Sequence, residues 1–364
     1  MHALCRALAG VPGVELRVLT TDTAAPGRRN NLRLASPSVR YPEGFDVRYC
    51  RRTAGVSISP ELIYELPPLM RWADVVHLTG VYSFPTIPTL AGCKLRAKPI
   101  VWSPRGSLQR WEKSRRRVSK WLWEGICNRL VSRKSCMLHF TSDNERYESE
   151  IRIQRAQHAV IPNGVEIPES QPSRDWLSRG ILRVLFIGRL EAKKGVENLL
   201  AAVQQYRAPV ALTICGTGDT RYVETLRAHA QELGIAERVT FSGHVHGEGK
   251  EAAFFTSDVC VVPSFTENFA MVVAESLARG LPVVASRGTP WAGLEQQSCG
   301  LWVDNSPESL AAALNEMRGM DLEEMGTRGR EWMRREFSWG SIAQRMHDLY
   351  GRIVKHAPSA SVPS

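Results

Sequence analysis

The stretch PSFTENFAMVVAESLARGLPVVAS, from Pro263 to Ser286, leaves few folds open to this chain. An apolar run (Val259 to Val262) feeds a short loop, a helical segment follows, and a second apolar run (Pro282 to Ala285) closes the unit. Strands joined through a helix in this way are parallel. Asn268 reads as the N-cap, because its side chain can accept a bond from a first-turn N–H. Gly280 reads as the C′ glycine, ahead of a proline, Pro282, that cannot continue the helix. The N–H groups of Asn268, Phe269, Ala270 and Met271 then converge at a helix N-terminus carrying about half a positive charge, which suits a phosphate. Glu267 precedes that helix, and Glu275 lies roughly 10 Å further along its axis at ~1.5 Å per residue. That is about the reach between the two ends of a sugar–diphosphate–nucleoside. Taken alone, the stretch reads slightly better as a plain βαβ unit with a solvated carboxylate on its helix.

The rest of the chain repeats the pattern. A length of 364 residues suits two domains, each large enough for its own core. Apolar runs at 74–79, 100–102 and 137–140 alternate with helical stretches, as in a parallel sheet covered on both faces. Ser142 and Glu145 form a capping box at the start of the helix after Phe140. Residues 166–180, with Pro168, Pro172 and Gly180, read as a linker. A second series follows, with strands at 182–187, 210–215, 239–241, 258–262 and 282–285 and helices near 196–206, 221–233 and 307–317. Trp339, Ile342, Met346 and Leu349 are spaced for an amphipathic helix, and the Ser/Pro tail from Pro358 reads as disordered. The chain thus predicts an α/β fold of two doubly wound, Rossmann-like domains facing a cleft at the carboxyl ends of their strands. Its opening is abrupt: a helix end (Met1 to Ala9) precedes the first strand (Val14 to Thr20). The usual first strand and phosphate-facing loop are expected upstream of Met1.

Composition narrows the chemistry. The eight cysteines are scattered, with no CxxC pair or Cys/His cluster, so neither a disulfide framework nor a zinc site is expected. A reducing cytoplasm is the natural compartment, and no leader or membrane span is expected. The net charge of +10 is concentrated between Arg105 and Lys134, where seven Arg and three Lys face only Glu112 and Glu124. That excess suits an acidic partner such as anionic lipid or polyphosphate. In this segment Val118, Leu122, Ile126 and Leu130 recur every fourth residue and predict a helix packed on a sheet by that stripe. Arg116, Arg117 and Lys120 fall on the opposite face, with Trp111, Trp121 and Trp123 among the cations, a mixture suited to a bilayer interface. Arg115, Arg116, Arg117 and Trp111 are therefore candidates for membrane contact, with a solvated helix face as the bland alternative.

Two further loops carry candidate chemistry. After the 182–187 run comes Gly188-Arg189-Leu190-Glu191-Ala192-Lys193-Lys194-Gly195, where small residues admit a ligand and Arg189 and Lys194 can neutralise a diphosphate. Gly216-Thr217-Gly218 starts like a dinucleotide fingerprint without its third glycine, so it is as readily a tight turn. With Glu267 and Glu275, these form an ordered series across one sheet. Here the chain resembles the family-4 retaining glycosyltransferases of two-domain GT-B fold. Ile161-Pro-Asn-Gly-Val165 resembles that family's entry to its second domain, and Phe337-Ser-Trp339 its final crossover helix. The resemblance implies an acceptor-side domain over 1–170, a nucleotide-sugar domain over 171–335, a crossover helix over 336–352 and a tail over 353–364.

The resemblance also implies roles. Glu267 would touch the donor sugar, Arg189 and Lys194 the diphosphate, and Glu275 the ribose. The amides of Asn268, Phe269, Ala270 and Met271, with Gly188, Gly216 and Gly218, would line the donor site, and His244 the base pocket. No metal or other cofactor is expected, and nucleic acid is not an expected partner. The expected reaction is retaining transfer from a GDP- or UDP-sugar to a saccharide or lipid-linked saccharide, in surface polysaccharide synthesis at the cytoplasmic membrane face. In the first domain the family often places a histidine where this chain reads Ser103-Pro104-Arg105-Gly106. Arg105 cannot be a general base, being always protonated, but it can bind a phosphate or sugar oxygen. His77, at another strand end, is either a core histidine or an acceptor-side group. Two rivals stay open: a non-catalytic sugar-nucleotide or polyanion-binding subunit, and a nucleotide-sugar epimerase of the same architecture.

Overall fold

A computed structural model describes residues 1–24, 31–55, 57–109, 117–170 and 173–356. The chain divides into two compact units, Met1–Gly164 with Trp339–Ser364, and Val165–Ser338. The first boundary thus falls inside the Pro-Asn-Gly run, because Val165 already pairs with Ser338, its N–H donating to the Phe337 carbonyl at 2.8 Å. Residues expected as a linker instead belong to the second unit. Arg174 donates to the carbonyls of Phe254 and Ser257 at 2.6 and 2.5 Å and lies over the Trp176 ring.

In the first unit the elements run α1 (His2–Ala9), β1 (Arg17–Thr21), β2 (Ser38–Arg40), β3 (Asp46–Cys50), α2 (Pro60–Trp72), β4 (Val76–Thr79) and α3 (Thr86–Leu95). They continue with β5 (Ile100–Ser103), α4 (Arg117–Leu130), β6 (Cys136–Phe140), α5 (Asp143–Glu150) and β7 (Gln157–Val160). The second unit carries β8 (Leu182–Ile187), α6 (Val196–Gln205), β9 (Val210–Cys215), α7 (Thr220–Glu232), β10 (Val239–Gly243), α8 (Gly247–Phe255) and β11 (Val259–Val262). It ends with α9 (Met271–Ala278), β12 (Val283–Ser286), α10 (Gly293–Gln296), β13 (Gly300–Val303), α11 (Pro307–Arg318) and α12 (Leu322–Trp332). The last helix, α13 (Trp339–His356), returns to the first unit and runs past the expected end at 352.

The second unit is one parallel sheet in the order β10-β9-β8-β11-β12-β13. All four residues of both β11 and β12 are buried, as expected for strands covered on two faces. The first unit's strands form two sheets, β1-β3-β2 and an all-parallel β4-β5-β6-β7. Side-chain alternation along β5 sends Ile100 and Trp102 to a core shared with α3 and α4, while Val101 packs with Leu4 of α1 and Met346 of α13. Gly164 is required where it stands, because a Cβ would lie 2.4 Å from the Trp339 ring. All eight cysteines are free thiols, seven of them buried.

A polar chain pins α13 to this sheet. His139 Nε2 lies 2.8 Å from the Ile161 carbonyl, which can only accept, so Nε2 carries the proton. His139 Nδ1 therefore accepts from Ser103 Oγ at 2.7 Å, Ser103 accepts from His77 Nε2 at 2.7 Å, and His77 Nδ1 accepts from the Tyr350 hydroxyl at 2.6 Å. Burial, then the nearby Arg105 charge, pushes His139 down to about 3. Burial, then His139 and Arg105, holds His77 well below its ordinary value of 6.5. Both rings are neutral when folded but take up protons when unfolded, so stability is complete above pH 6.5 and is lost as pH falls below it. Unfolding in urea should show a loss of up to about 2 kcal/mol per histidine between pH 6.5 and about 5. A flat profile over that window would contradict the neutral chain.

Candidate active site

The order of the second unit's sheet selects one position. From β8 the chain steps outward through β9 and β10, then returns to β11 on the other side of β8 and steps outward again through β12 and β13. Strand order reverses between β8 and β11, and ligands of open α/β sheets bind in the crevice beyond the carboxyl ends at such a point. The loops that leave these two strands are locked together by backbone contacts. Gly195 adopts φ +64°, and a Cβ there would lie 2.1 Å from the Pro263 carbonyl oxygen. The Phe265 N–H donates to the Lys193 carbonyl at 2.9 Å.

That contact brings Lys194, from the first loop, onto Glu267, from the second. Lys194 Nζ donates to Glu267 Oε1, which also accepts from Ser264 Oγ at 2.8 Å. The two side chains are only 17 and 12 % exposed. The Glu267 N–H is held by the Gly288 carbonyl at 2.9 Å. A desolvated pair of this kind is sensitive to loss of either member, because the remaining charge is left unmatched. Ser264 carried no signal in the sequence beyond its place three residues before Glu267.

The helix begins later than expected. Its N-cap is Ala270, at φ +58°, and not Asn268. Phe269, just ahead of it, is used differently: it is buried against Trp291 and Phe337, and its carbonyl accepts from Trp291 Nε1 at 2.5 Å. A left-handed alanine costs on the order of 1 kcal/mol and is tolerated here because the Phe269 anchor determines the turn. The N–H groups at the helix front are thus those of Met271 and Val272, ahead of the helix's own ladder. At the other end Gly280, at φ +64°, follows the helix as expected, and the Leu281 N–H closes back on the Ser276 carbonyl at 2.9 Å. Glu275 faces α8, where Lys250 Nζ reaches it at 2.7 Å. Lys250 was not singled out by sequence, since nothing in a short polar helix announces its partner.

The remaining donor-side candidates lie in the same unit. A Cβ on Gly216 would lie 1.8 Å from the Gly188 carbonyl oxygen, and one on Gly218 2.1 Å from that of Leu190. The two turns are stitched by Gly188 N–H to Cys215 O at 3.0 Å and Leu190 N–H to Thr217 O at 2.9 Å. Arg189 points outward, 70 % exposed, and pairs with Glu191 at 2.6 Å. His244 is exposed after the edge strand β10, its ring stacked on that of His246.

In the first unit Arg105 sits one turn beyond β5 at φ +53°. Its guanidinium donates to Asn163 Oδ1, while its Nε is buried without a partner. Burial lowers its pKa, and the Glu145 carboxylate opposes that shift. Glu145 is itself buried and accepts from the Gly106 N–H at 2.5 Å and the Thr141 N–H at 2.7 Å, so it fixes the turn that presents Arg105. His77 has both ring nitrogens engaged in the buried chain described above. Trp111, Arg115 and Arg116 lie outside the described residues, as does the side chain of Arg117. The α4 stripe is corrected: Val118, Leu122 and Ile126 are exposed, and α4 packs inward through Trp123, Glu124 and Cys127. The inward polar groups are matched, Trp123 Nε1 by the Val81 carbonyl at 2.8 Å and Glu124 by the Tyr82 hydroxyl. Among the described residues, no three His, Cys, Asp or Glu side chains converge as metal ligands.

Residues 182–318 match the family described as glycosyl transferases group 1. The second unit carries a domain of this family. The group 1 domain spans β8 to α11 and so contains both members of the Lys194–Glu267 pair. Among curated relatives, the D-inositol 3-phosphate glycosyltransferase of Corynebacterium glutamicum is 36 % identical over 241 residues, 60 % of this chain and 54 % of the relative. The chain spans about half the length of the curated relatives it matches first. Among solved structures, sucrose-phosphate synthase from Thermosynechococcus elongatus superposes with a TM-score of 0.71 at 23 % identity, covering 97 % of this chain and 92 % of that one. Anabaena HepE, solved with UDP-glucose, superposes with a TM-score of 0.66 at 18 % identity over 84 % of this chain and 86 % of its own. The fold around the group 1 domain is that of these GT-B enzymes, two Rossmann-like units in one chain.

Proposed function

We propose that this chain is a retaining glycosyltransferase. It moves a sugar from a GDP- or UDP-linked donor to a saccharide or lipid-linked saccharide acceptor, without a metal ion. The observation that carries the reading is the Lys194–Glu267 pair at the sheet's switch point, in front of α9, within a group 1 domain. The similarity to a D-inositol 3-phosphate glycosyltransferase and to a protein solved with UDP-glucose supports it.

In this reading Lys194, Arg189 and the N–H groups of Met271 and Val272 meet the diphosphate and stabilise the charge that develops as the nucleotide leaves. Glu267 accepts hydroxyls of the transferred sugar, and Glu275, steadied by Lys250, accepts those of the ribose. The anomeric carbon–phosphate oxygen bond breaks as the acceptor oxygen bonds to the same face of that carbon. The acceptor proton passes to the departing phosphate oxygen, so no protein base is needed. Arg105 binds a phosphate or sugar oxygen on the acceptor side.

Thermal unfolding with UDP, GDP and their sugar conjugates, in the presence of EDTA, tests this. A matching nucleotide a hundredfold above its Kd should raise Tm by at least about 5 °C. No shift with any of them would overturn the donor reading. A shift accompanied by neither sugar transfer nor donor hydrolysis would favour the non-catalytic binding subunit, and a shift that needs a divalent ion would remove metal independence.

A further inference from the structure

The outward face of α4 is apolar where a surface helix is normally polar. Val118, Trp121, Leu122 and Ile126 stand at i, i+3, i+4 and i+8, exposed to 73, 67, 56 and 41 %. Gly125 leaves a hollow in the row, since a Cβ there would meet nothing within 4 Å. Beside the row lies an open groove of about 450 Å³ lined in part by Trp121, Leu122, Arg129 and Arg155. Asn128 holds the groove's far wall, accepting from the Gln154 N–H at 3.0 Å. Lys94 reaches the Arg129 carbonyl at 2.6 Å from the end of α3, where Leu95 is 83 % exposed.

Along α4 the exposed charge has one sign. Between Val118 and Lys134 the only carboxylate in the sequence is Glu124, and it is buried. Arg129, Arg133, Lys134 and Arg155 are all exposed. We propose that this face of α4 seats on an anionic lipid bilayer, with Trp121, Leu122 and Ile126 entering the headgroup region and Arg129 and Arg155 meeting lipid phosphates. An exposed tryptophan and aliphatic row bordered by cations is the composition such an interface selects. A second copy docked through the same face would set Arg129 and Arg155 against their own equivalents. A polyanion without an apolar phase would leave Val118, Leu122 and Ile126 in water, since phosphate contacts offer them nothing. The assignment is independent of the nucleotide-sugar reading, because binding is measured without donor.

Co-sedimentation with vesicles separates the possibilities. The chain should pellet with equal mixtures of phosphatidylglycerol and phosphatidylcholine at low salt, and much less with phosphatidylcholine alone or at high salt. Trp121→Ser with Leu122→Ser, and separately Arg129→Glu with Arg155→Glu, should each weaken binding at least about tenfold. All four positions are exposed, and the charge reversal keeps the test open should the serine variant aggregate. Equal binding to both vesicle types, or wild-type binding by both variants, would overturn the proposal. So would a wild-type dimer that the serine variant turns into monomer in sedimentation velocity while vesicle binding stays intact.

Discussion

Glu267→Gln is expected to lower the rate of sugar transfer by about two to three orders of magnitude while leaving nucleotide binding in place. Gln keeps the length of the side chain and can still accept from Ser264 Oγ, so the loop between β11 and α9 retains its geometry. What changes is charge. Lys194 loses the carboxylate it contacts in a site where both side chains are largely buried. A diphosphate donor supplies the anion that Lys194 then lacks, so affinity for UDP or GDP should hold or rise. Donor-dependent release of nucleoside diphosphate, measured beside a thermal-shift titration, separates the two effects. Wild-type turnover by this variant would remove Glu267 from the proposed chemistry. Lys194→Met should behave in the opposite way, losing nucleotide affinity together with rate, because it removes the cation itself.

Gly216→Ala should destabilise the second unit by about 3 kcal/mol or more and abolish nucleotide binding with it. The clash is backbone against backbone: the new Cβ would stand 1.8 Å from the Gly188 oxygen and 3.0 Å from its carbonyl carbon. No side-chain rotation relieves it, so the β8 and β9 turns must separate. The Gly188 N–H to Cys215 O and Leu190 N–H to Thr217 O bonds would then be lost or lengthened. Gly243→Ala is the control. That glycine is left-handed, at φ +70°, but a Cβ added there would meet nothing within 4 Å, so only the backbone preference, about 1–2 kcal/mol, is at stake. Urea unfolding should therefore place Gly216→Ala below Gly243→Ala by about 1 kcal/mol or more. Equal midpoints would show that the two turns are not packed as described.

The glycine turns illustrate how much was legible beforehand. Their types and spacing marked loops at the ends of strands, and the carboxylates at 267 and 275 were visible with them. Local periodicity placed most second-unit strands and helices within a residue or two, because buried parallel strands and capped helices write their own pattern. The spacing rule failed on α4. Val118, Leu122 and Ile126 do share a face, but periodicity identifies a face without saying which way it turns. Trp123 and Glu124 turn inward because Val81 and Tyr82 offer the matching carbonyl and hydroxyl. The start of α9 was also missed. Asn268 has a good capping side chain, yet burial of Phe269 between Trp291 and Phe337 outweighs a single cap bond and delays the helix to Met271.

Sequence alone therefore determined the parallel α/β class and the division into two units, and it named Glu267 and Lys194 among its candidate groups. These follow from propensity, alternation and residue chemistry, which act over a few positions. Tertiary structure alone decided which groups meet. Lys194 and Glu267 are 73 residues apart, and Tyr350 lies 273 residues beyond His77. Their contacts exist because strand order reverses between β8 and β11 and because α13 returns to the first unit's sheet. Strand order and helix docking minimise exposed apolar area over the whole chain, and no local window of sequence contains that sum.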